Sequence, residues 1–562
     1  MPKWTKEQQL AIDESGKNII VSAGAGSGKT AVLTERVIQK LKKGESIDKL
    51  LILTFTNAAA KEMKERIRAS IKKNNLLTEL DKIDSSYITT FDSFSLSIVK
   101  KYHYLLNINK DVKIADNLIL KWNTKQKLDD IFLEMYEKEN EKFLKLIKDF
   151  TVRDDSKIKN YILNMYNKIS LKYDFLEYLD SYLDKFYDIS YLDKLVLEYE
   201  NILLKKIDEI KTNLDELELI TDGTFYYSMY SSLEKLLNSK TYDDIKNNLD
   251  ISLPRLKKGM ESEKPFKEKI SNIISSLGKL TIYESREYIY ESILNTKDYV
   301  SIIISILKEL DKRVVKFKKE NELYDFLDIS KLAIKVVLEH DFIKLELTNS
   351  FHEILVDEYQ DTSDLQELFI SLISNNNVYM VGDIKQSIYR FRNANPNLFK
   401  EKYVSYQQGI NGMKIDLVKN FRSREETLNN INYIFNYIMD LDLGGADYKN
   451  GHQMVFGNTL YDEFKKQDQD SNFSIYSYNL ENKTYSKDEV EAFITVFDIK
   501  EKVKNKYQVF DKDKQQLRDI TYDDFVILID KSTSFSLYKK IFEYNNVPLT
   551  ILKDEDISGS YD

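Results

Sequence analysis

The chain has 562 residues, 31% of them charged, with a formal net charge of −9 and no cysteine. Disulfides, thiolate metal sites and iron–sulfur clusters within it are therefore excluded, and no run of ~20 apolar residues is present to span a bilayer. The length calls for several domains of ~100–200 residues each.

The N-terminus, Met1-Pro2-Lys3-Trp4-Thr5, lacks the apolar core of a signal peptide. With the absence of cysteine, this sets the expectation of a cytoplasmic protein. His103, His340, His352 and His452 show no metal-ligand spacing. The negative total charge does not advertise a nucleic-acid partner, but it is a whole-chain number that leaves local basic surfaces open.

The first predicted element is the apolar run Asn18-Ile19-Ile20-Val21-Ser22, of buried-strand length. It leads into Ala23-Gly24-Ala25-Gly26-Ser27-Gly28-Lys29-Thr30. Ala31-Val32-Leu33-Thr34-Glu35-Arg36-Val37-Ile38 then carries apolar residues at helical spacing. Strand, glycine loop, Gly-Lys-Thr and helix together predict a phosphate-cradling loop. Glycines let backbone N–H groups turn inward around an anion, and the helix N-terminus adds a partial positive charge. Lys29 then reaches the outer phosphates, and the Thr30 hydroxyl ligates Mg²⁺. Ala23 stands where the usual pattern has glycine, which a negative φ tolerates.

Leu50-Leu51-Ile52-Leu53-Thr54 and Ile88-Thr89-Thr90 read as further core strands separated by helical patterns. Residues 1–115 thus predict the start of an α/β domain with a parallel sheet. Residues 116–345 hold only Gly223, Gly259 and Gly278, and repeat apolar residues at three- and four-residue spacing. They predict a large all-α insertion. Within it, Arg255, Lys257, Lys258, Lys264, Lys267 and Lys269 cluster between and beyond Pro254 and Pro265. That cluster is either a solvated linker, the reading favoured here, or a phosphate-contacting patch.

Residues 346–424 return to the α/β pattern, with strands at His352-Glu353-Ile354-Leu355-Val356, Val378-Tyr379-Met380-Val381-Gly382 and Lys414-Ile415-Asp416-Leu417-Val418. Residues 425–562 read as the opening half of a second α/β domain. The pattern there predicts a helix after 425, a loop-rich stretch at 443–470 and a strand at 472–478. A helix over about 487–504 and a strand at 525–529 follow.

Asp357 and Glu358 close an apolar strand in a chain with a phosphate loop. An aspartate there holds Mg²⁺, and the neighbouring glutamate orients and deprotonates the attacking water. Open α/β sheets bind ligands at such carboxyl ends of strands.

Val356-Asp357-Glu358-Tyr359-Gln360-Asp361-Thr362 resembles the VDEFQDT signature of UvrD/Rep-type superfamily 1 DNA helicases, and the rest of that motif series follows in order. Thr5-Lys6-Glu7-Gln8 resembles the Q motif, which implies that Gln8 reads adenine. Leu53-Thr54-Phe55-Thr56-Asn57-Ala58-Ala59-Ala60-Lys61-Glu62-Met63 is similar to motif Ia, which implies single-stranded DNA contacts at Phe55, Thr56 and Asn57. Thr90-Phe91-Asp92-Ser93-Phe94 resembles motif Ib, usually T-x-H-S-F, with Asp92 in place of the histidine. Thr90 and Ser93 would contact DNA. Val381-Gly382-Asp383-Ile384-Lys385-Gln386-Ser387-Ile388-Tyr389-Arg390-Phe391-Arg392 is similar to motif III. It implies a γ-phosphate-sensing Gln386 and a DNA-facing Tyr389, Phe391 and Arg392. Asn420-Phe421-Arg422-Ser423 is similar to motif IV, with Phe421 packing on adenine and Arg422 reaching the γ-phosphate.

The resemblance implies a RecA-like motor using ATP and Mg²⁺. Lys29, Asp357, Glu358, Gln386 and Arg422 would be catalytic, with Gln8, 23–30 and Phe421 binding nucleotide and Thr30 and Asp357 holding the metal. Without motif context, composition favours core packing for Phe55, Tyr389 and Phe391, and only the motif neighbours reverse that. The long helical region and the segments 100–106 and 112–116 resemble AddA, the helicase–nuclease subunit of the bacterial AddAB complex. That implies a 3′→5′ DNA helicase subunit in double-strand break repair and recombination. Its partners would be single-stranded and duplex-end DNA and an AddB-like subunit in a heterodimer. Motifs V and VI and a nuclease domain are not found, so the expectation is a fragment or split gene product with weak or no unwinding of its own. The alternatives are a binding module for ATP and single-stranded DNA without turnover, and a general UvrD-like repair helicase.

Overall fold

In a computed structural model, residues 4–221, 223–257, 259–458, 473–479, 484–511 and 514–552 are described. The chain divides into two compact units, Met1–Ser22 with Thr30–Asp416, and Ala23–Lys29 with Leu417–Asp562.

The first unit is organised by a six-stranded sheet. In chain order the strands are β1 (Ile19–Ala23), β2 (Leu50–Thr54), β3 (Tyr87–Thr90), β4 (Lys113–Ile114), β5 (Leu323–Tyr324), β6 (Glu353–Val356), β7 (Val378–Gly382) and β8 (Met413–Leu417). The sheet order is β3-β2-β6-β7-β1-β8, while β4 and β5 form a separate parallel pair. β2 pairs parallel with both β3 and β6, and β7 with both β6 and β1. β1, β2, β6 and β7 are buried along their whole length. That is why they read as continuous apolar runs rather than alternating ones.

Two short strands, β4 and β5, bracket the insertion, and their pairing brings its two ends together. The helices between them build two separate cores. One joins Asn117–Glu137, Glu141–Phe150, Ser156–Ile169, Phe175–Phe186 and Lys297–Glu320 around Phe132, Phe143, Leu146 and Leu310. The other is built on Ile189–Glu218 and gathers Thr224–Leu237, Tyr242–Asn247, Lys264–Leu280 and Arg286–Leu294 around Ile207, Met229, Leu233 and Ile270. The tyrosine- and leucine-rich stripes of this region are therefore packing surfaces. In the basic stretch, Leu253, Leu256, Met260 and Phe266 pack against the second core, while Arg255, Lys257, Lys264 and Lys269 are exposed. Lys258 lies outside the described residues.

Helix Lys29–Lys42 presents Arg36 to the sheet. The Arg36 guanidinium is fully buried, bonds both oxygens of Glu353 and donates to the carbonyls of Ala11 and Ile12 at 2.9 and 3.2 Å. It also lies 4.2 Å over the Tyr379 ring. Lys40 adds a second cation 3.6 Å from Glu353. Burial pushes the Tyr379 hydroxyl well above its ordinary pKa, so it stays neutral beside that charge.

The second unit holds β9 (Lys419–Asn420) paired parallel with β10 (Val455–Phe456), and β11 (Gln508–Asp511) antiparallel to β12 (Gln516–Asp519). Helices Lys487–Lys504 and Phe535–Tyr544 pack around Val496, Ile499 and Phe542. Two expected strands are absent among the described residues: neither 473–478 nor 525–529 forms a ladder. Residues 525–529 do alternate. Phe525, Ile527 and Ile529 lie on the Val496 cluster, while Val526 and Leu528 are 84% and 91% exposed. The alternation reports a half-buried extended segment, and a strand also needs a neighbour. Asn472 and residues 459–470 of the expected loop lie outside the described residues.

Arg36→Met takes the bidentate partner from the buried Glu353 carboxylate and leaves it only Lys40 at 3.6 Å, and is expected to cost about 3–5 kcal/mol. Adding Glu353→Leu is expected to recover much of that loss. Urea unfolding of the two variants measures both effects.

Candidate active site

In the second unit, the phosphate loop is held by the segment that follows β8. Asn420 donates its side-chain amide to the Ala25 carbonyl at 2.6 Å, and Phe421 N–H donates to Gly26 O at 2.8 Å. Gly24 N–H donates to Leu417 O at 3.3 Å, and Ser27 N–H closes back on Gly24 O at 3.2 Å. Gly26 and Gly28 have φ of +70° and +87°. A Cβ on Gly26 would lie 2.7 Å from both Arg422 Cβ and Asn420 Nδ2. Glycine is required there for conformation and for space. The Asn420 carbonyl oxygen accepts from the N–H groups of Arg422 and Ser423 at 2.9 and 2.8 Å. One buried asparagine thus holds the glycine loop with one end of its amide and starts the Phe421–Ser423 turn with the other. Gly457 leaves room for the Phe421 ring, since a Cβ there would come within 2.9 Å of it. This loop, opening into a helix at Lys29, fits a nucleotide triphosphate: a tight glycine turn, a lysine, and an exposed Arg422 beside it.

In the first unit, the chain leaves β6 through Asp357, whose N–H donates to Leu53 O at 2.9 Å. Glu358 then takes a left-handed conformation, φ +51° and ψ +47°. A non-glycine residue there is strained by ~1–3 kcal/mol. The reversal breaks the strand alternation, and both residues line one cleft. The Asp357 carboxylate accepts from Glu358 N–H at 3.0 Å. The Glu358 carboxylate accepts from Gln360 Nε2 at 2.9 Å.

Gln386 sits in the turn after β7 and donates its amide to Asp383 at 2.7 Å. Asp383 is 1% exposed and is neutralised by Lys385 Nζ at 2.8 Å. The next residues form an aromatic cluster. Phe55 and Tyr389 ring centres lie 4.7 Å apart, Tyr389 and Phe391 5.7 Å, and the Arg392 guanidinium lies 5.3 Å from the Tyr389 ring. Phe391 is 76% exposed, so it is no core residue. A cleft of about 570 Å³ is lined by Phe55, Thr90, Asp92, Asp357, Glu358 and Arg392, among others.

Other expected contacts have structural duties. Gln8 is buried, and its amide oxygen accepts from Thr5 N–H at 3.0 Å in a capping box. The Thr56 hydroxyl caps helix Asn57–Lys73, and Asn57 is the first residue of that helix. Thr90 caps helix Phe91–Lys101 and holds Ser93 through both N–H and hydroxyl. Thr30 opens the helix interior, its carbonyl accepting from the Thr34 hydroxyl at 2.8 Å. Among the described residues no group of three or more His, Asp or Glu is placed to hold a metal by itself. Thr30 and Asp357 as metal ligands would rely on phosphate and water oxygens for the rest.

Sequence reasoning passed over Asn420, Gln360 and Asp383. All three lie inside quoted motifs and are buried polar residues, but motif roles draw attention to exposed residues that reach a ligand.

A parallel sheet whose first strand opens into a glycine loop, with paired carboxylates at the end of another strand, is the architecture of a phosphate-loop NTPase. The UvrD/REP helicase N-terminal domain matches residues 4–407. The chain belongs to that helicase family. It is 33% identical to an ATP-dependent helicase/nuclease subunit (AddA) of Clostridium botulinum (strain Alaska E43 / Type E3), covering 95% of this chain and 49% of that protein. It is 32% identical to the protein of that name from Lactobacillus johnsonii, covering 94% and 48%, and 31% identical to that from Oceanobacillus iheyensis, covering 98% and 49%. The chain spans about half the length of the curated relatives it matches. No helix of the described residues is long and apolar enough to cross a membrane.

Burial pushes the Asp92 carboxyl up. An acid raised in the folded state contributes stability below its ordinary pKa of ~3.9 and loses it as pH rises through the raised value. Asp92→Asn is therefore expected to unfold at a higher temperature than the native chain at pH 7.5. That gain should shrink towards zero near pH 4, and thermal melts at the two pH values check it.

Proposed function

We propose that this chain is the N-terminal motor portion of an ATP-dependent 3′→5′ DNA helicase. Like the helicase/nuclease proteins it matches, it would serve as one subunit of a complex for double-strand break repair and recombination. The observation that carries the reading is the phosphate loop clamped by Asn420, with Arg422 against Gly26. Phosphoryl transfer asks chiefly for positioning and charge stabilisation. Lys29 and Arg422 supply positive charge for the outer phosphates. Thr30 and Asp357 offer oxygens to Mg²⁺, which would supply further charge neutralisation when bound. Glu358 holds the position of the base that takes a proton from water, and Gln386 that of the γ-phosphate sensor. Phe421 offers a flat apolar face to adenine, and Gln8 a side-chain amide.

Single-stranded DNA is assigned to Phe55, Thr56, Asn57, Thr90, Ser93, Tyr389, Phe391 and Arg392. The exposed Phe391 ring and the aromatic cluster behind it support this, because every base has a face that stacks. The partner is assigned as an AddB-like subunit, forming a cytoplasmic heterodimer that takes duplex ends. The helicase–nuclease assignment draws on the names of the relatives matched along 94–98% of this chain.

Lys29→Ala is expected to reduce ATP hydrolysis by at least about 10²-fold. Steady-state turnover at saturating single-stranded DNA measures this, and persistent hydrolysis would sink the phosphate-loop assignment. Phe391→Ala is expected to weaken single-stranded DNA binding by about 1–3 kcal/mol without changing the KM for ATP. Fluorescence anisotropy with a labelled oligothymidylate reads the affinity. An unchanged value would remove Phe391 from the DNA path.

A further inference from the structure

The side chain of Gln360 is almost fully buried, 1% exposed, and both ends of its amide are hydrogen-bonded. Its Nε2 donates to Glu358 Oε2 at 2.9 Å and to Asp361 Oδ2 at 3.3 Å. Its Oε1 accepts from Asp383 N–H at 2.9 Å, and its backbone carbonyl accepts from the Ser387 hydroxyl at 3.2 Å. Asp383 in turn holds Gln386. Two further bonds lace the same segments together: Asn395 N–H to Thr362 O at 2.9 Å, and Asn395 Nδ2 to Asp364 at 2.7 Å. The space for this amide is made by Gly382. A Cβ there would stand 2.3 Å from Gln360 Oε1 and 3.1 Å from Gln360 N, although Gly382 has no positive φ to explain its choice.

We infer that Gln360 is a positioning residue that couples the hydrolytic carboxylate to the DNA-facing loop. The amide bridges the Glu358 carboxylate to the segment 383–387, which runs directly into Tyr389 and Phe391. A shift of that segment when a base stacks on it is passed to Glu358 through one rigid planar group. Stimulation of ATP hydrolysis by single-stranded DNA therefore runs through the Gln360 amide. The inference rests on the helicase reading above.

The amide has two ends, and they can be tested separately. Gln360→Glu keeps an acceptor for Asp383 N–H but replaces the donor to Glu358 with a repelling carboxylate. Gly382→Ala leaves Gln360 in place but takes its space, and covers the case in which the first variant fails to fold. Both are to be assayed in the complete gene product carrying this chain. The readouts are hydrolysis with and without oligothymidylate, KM for ATP, DNA affinity and thermal midpoint.

The expected result for both variants is a DNA-stimulated kcat lowered at least about tenfold, with KM for ATP and DNA affinity within about threefold of the native protein. A stimulated kcat within about twofold of native in either folded variant overturns the inference. So does a loss of kcat matched by equal losses in ATP and DNA binding, which is the mark of a merely structural role. A native protein that hydrolyses no ATP with or without DNA overturns the helicase reading, and the inference with it. Native stimulation that survives in the variants overturns the inference alone.

Discussion

One guanidinium organises the first unit. Arg36 has no access to water, and it meets four elements at once: the carbonyls at the end of helix Lys6–Asp13, its own helix, β6 through Glu353, and the β7 ring of Tyr379. Each of these elements leads to a different group of the proposed site. Helix Lys6–Asp13 carries Gln8, the Arg36 helix opens at Lys29, β6 runs into Asp357 and Glu358, and β7 runs into Asp383 and Gln386. A buried charge tolerates little displacement, because any move that breaks a bond leaves it unpaired in low dielectric. The pair therefore acts on register more than on net stability: with β6 and β7 adjacent in the sheet, their carboxyl ends are held level.

Local strain does what register cannot. Adjacent residues of a strand point to opposite faces, so Asp357 and Glu358 would part if β6 simply continued. The left-handed turn at Glu358 ends that alternation, and the bonds of Gln360 and Asp383 surround it. Glycines are used with the same economy. Gly26 yields to Asn420 and Arg422, Gly382 to Gln360, and Gly457 to Phe421, each where a Cβ would crowd that side chain.

Much of the fold was legible because buried strands and amphipathic helices have distinct periods. The runs at Ile19, Leu50, Glu353 and Val378 became strands, and the stripes between Asn117 and Glu320 became helices. The failure at 525–529 has a physical cause. Alternation reports which face of an extended segment meets a core, and Phe525, Ile527 and Ile529 do meet one, but a ladder depends on a partner that no local pattern records. Phe391 shows the opposite case: composition favours burial, and only its motif neighbours argued for the exposed ring that the structure holds.

By itself the amino-acid sequence determined the phosphate loop, the paired carboxylates, the α/β class and the family, because each depends on residues within a few positions of one another. Only the tertiary structure decided the strand order β3-β2-β6-β7-β1-β8, in which β6 lies beside β2 despite some 300 intervening residues. It alone decided that Arg36 pairs with Glu353, that Asn420 clamps the loop at Ala25, and that Gln360 joins Glu358 to Asp383. The reason is one of range. Propensity and capping act over one or two turns of chain, whereas a buried polar side chain must find whatever partner folding brings to it.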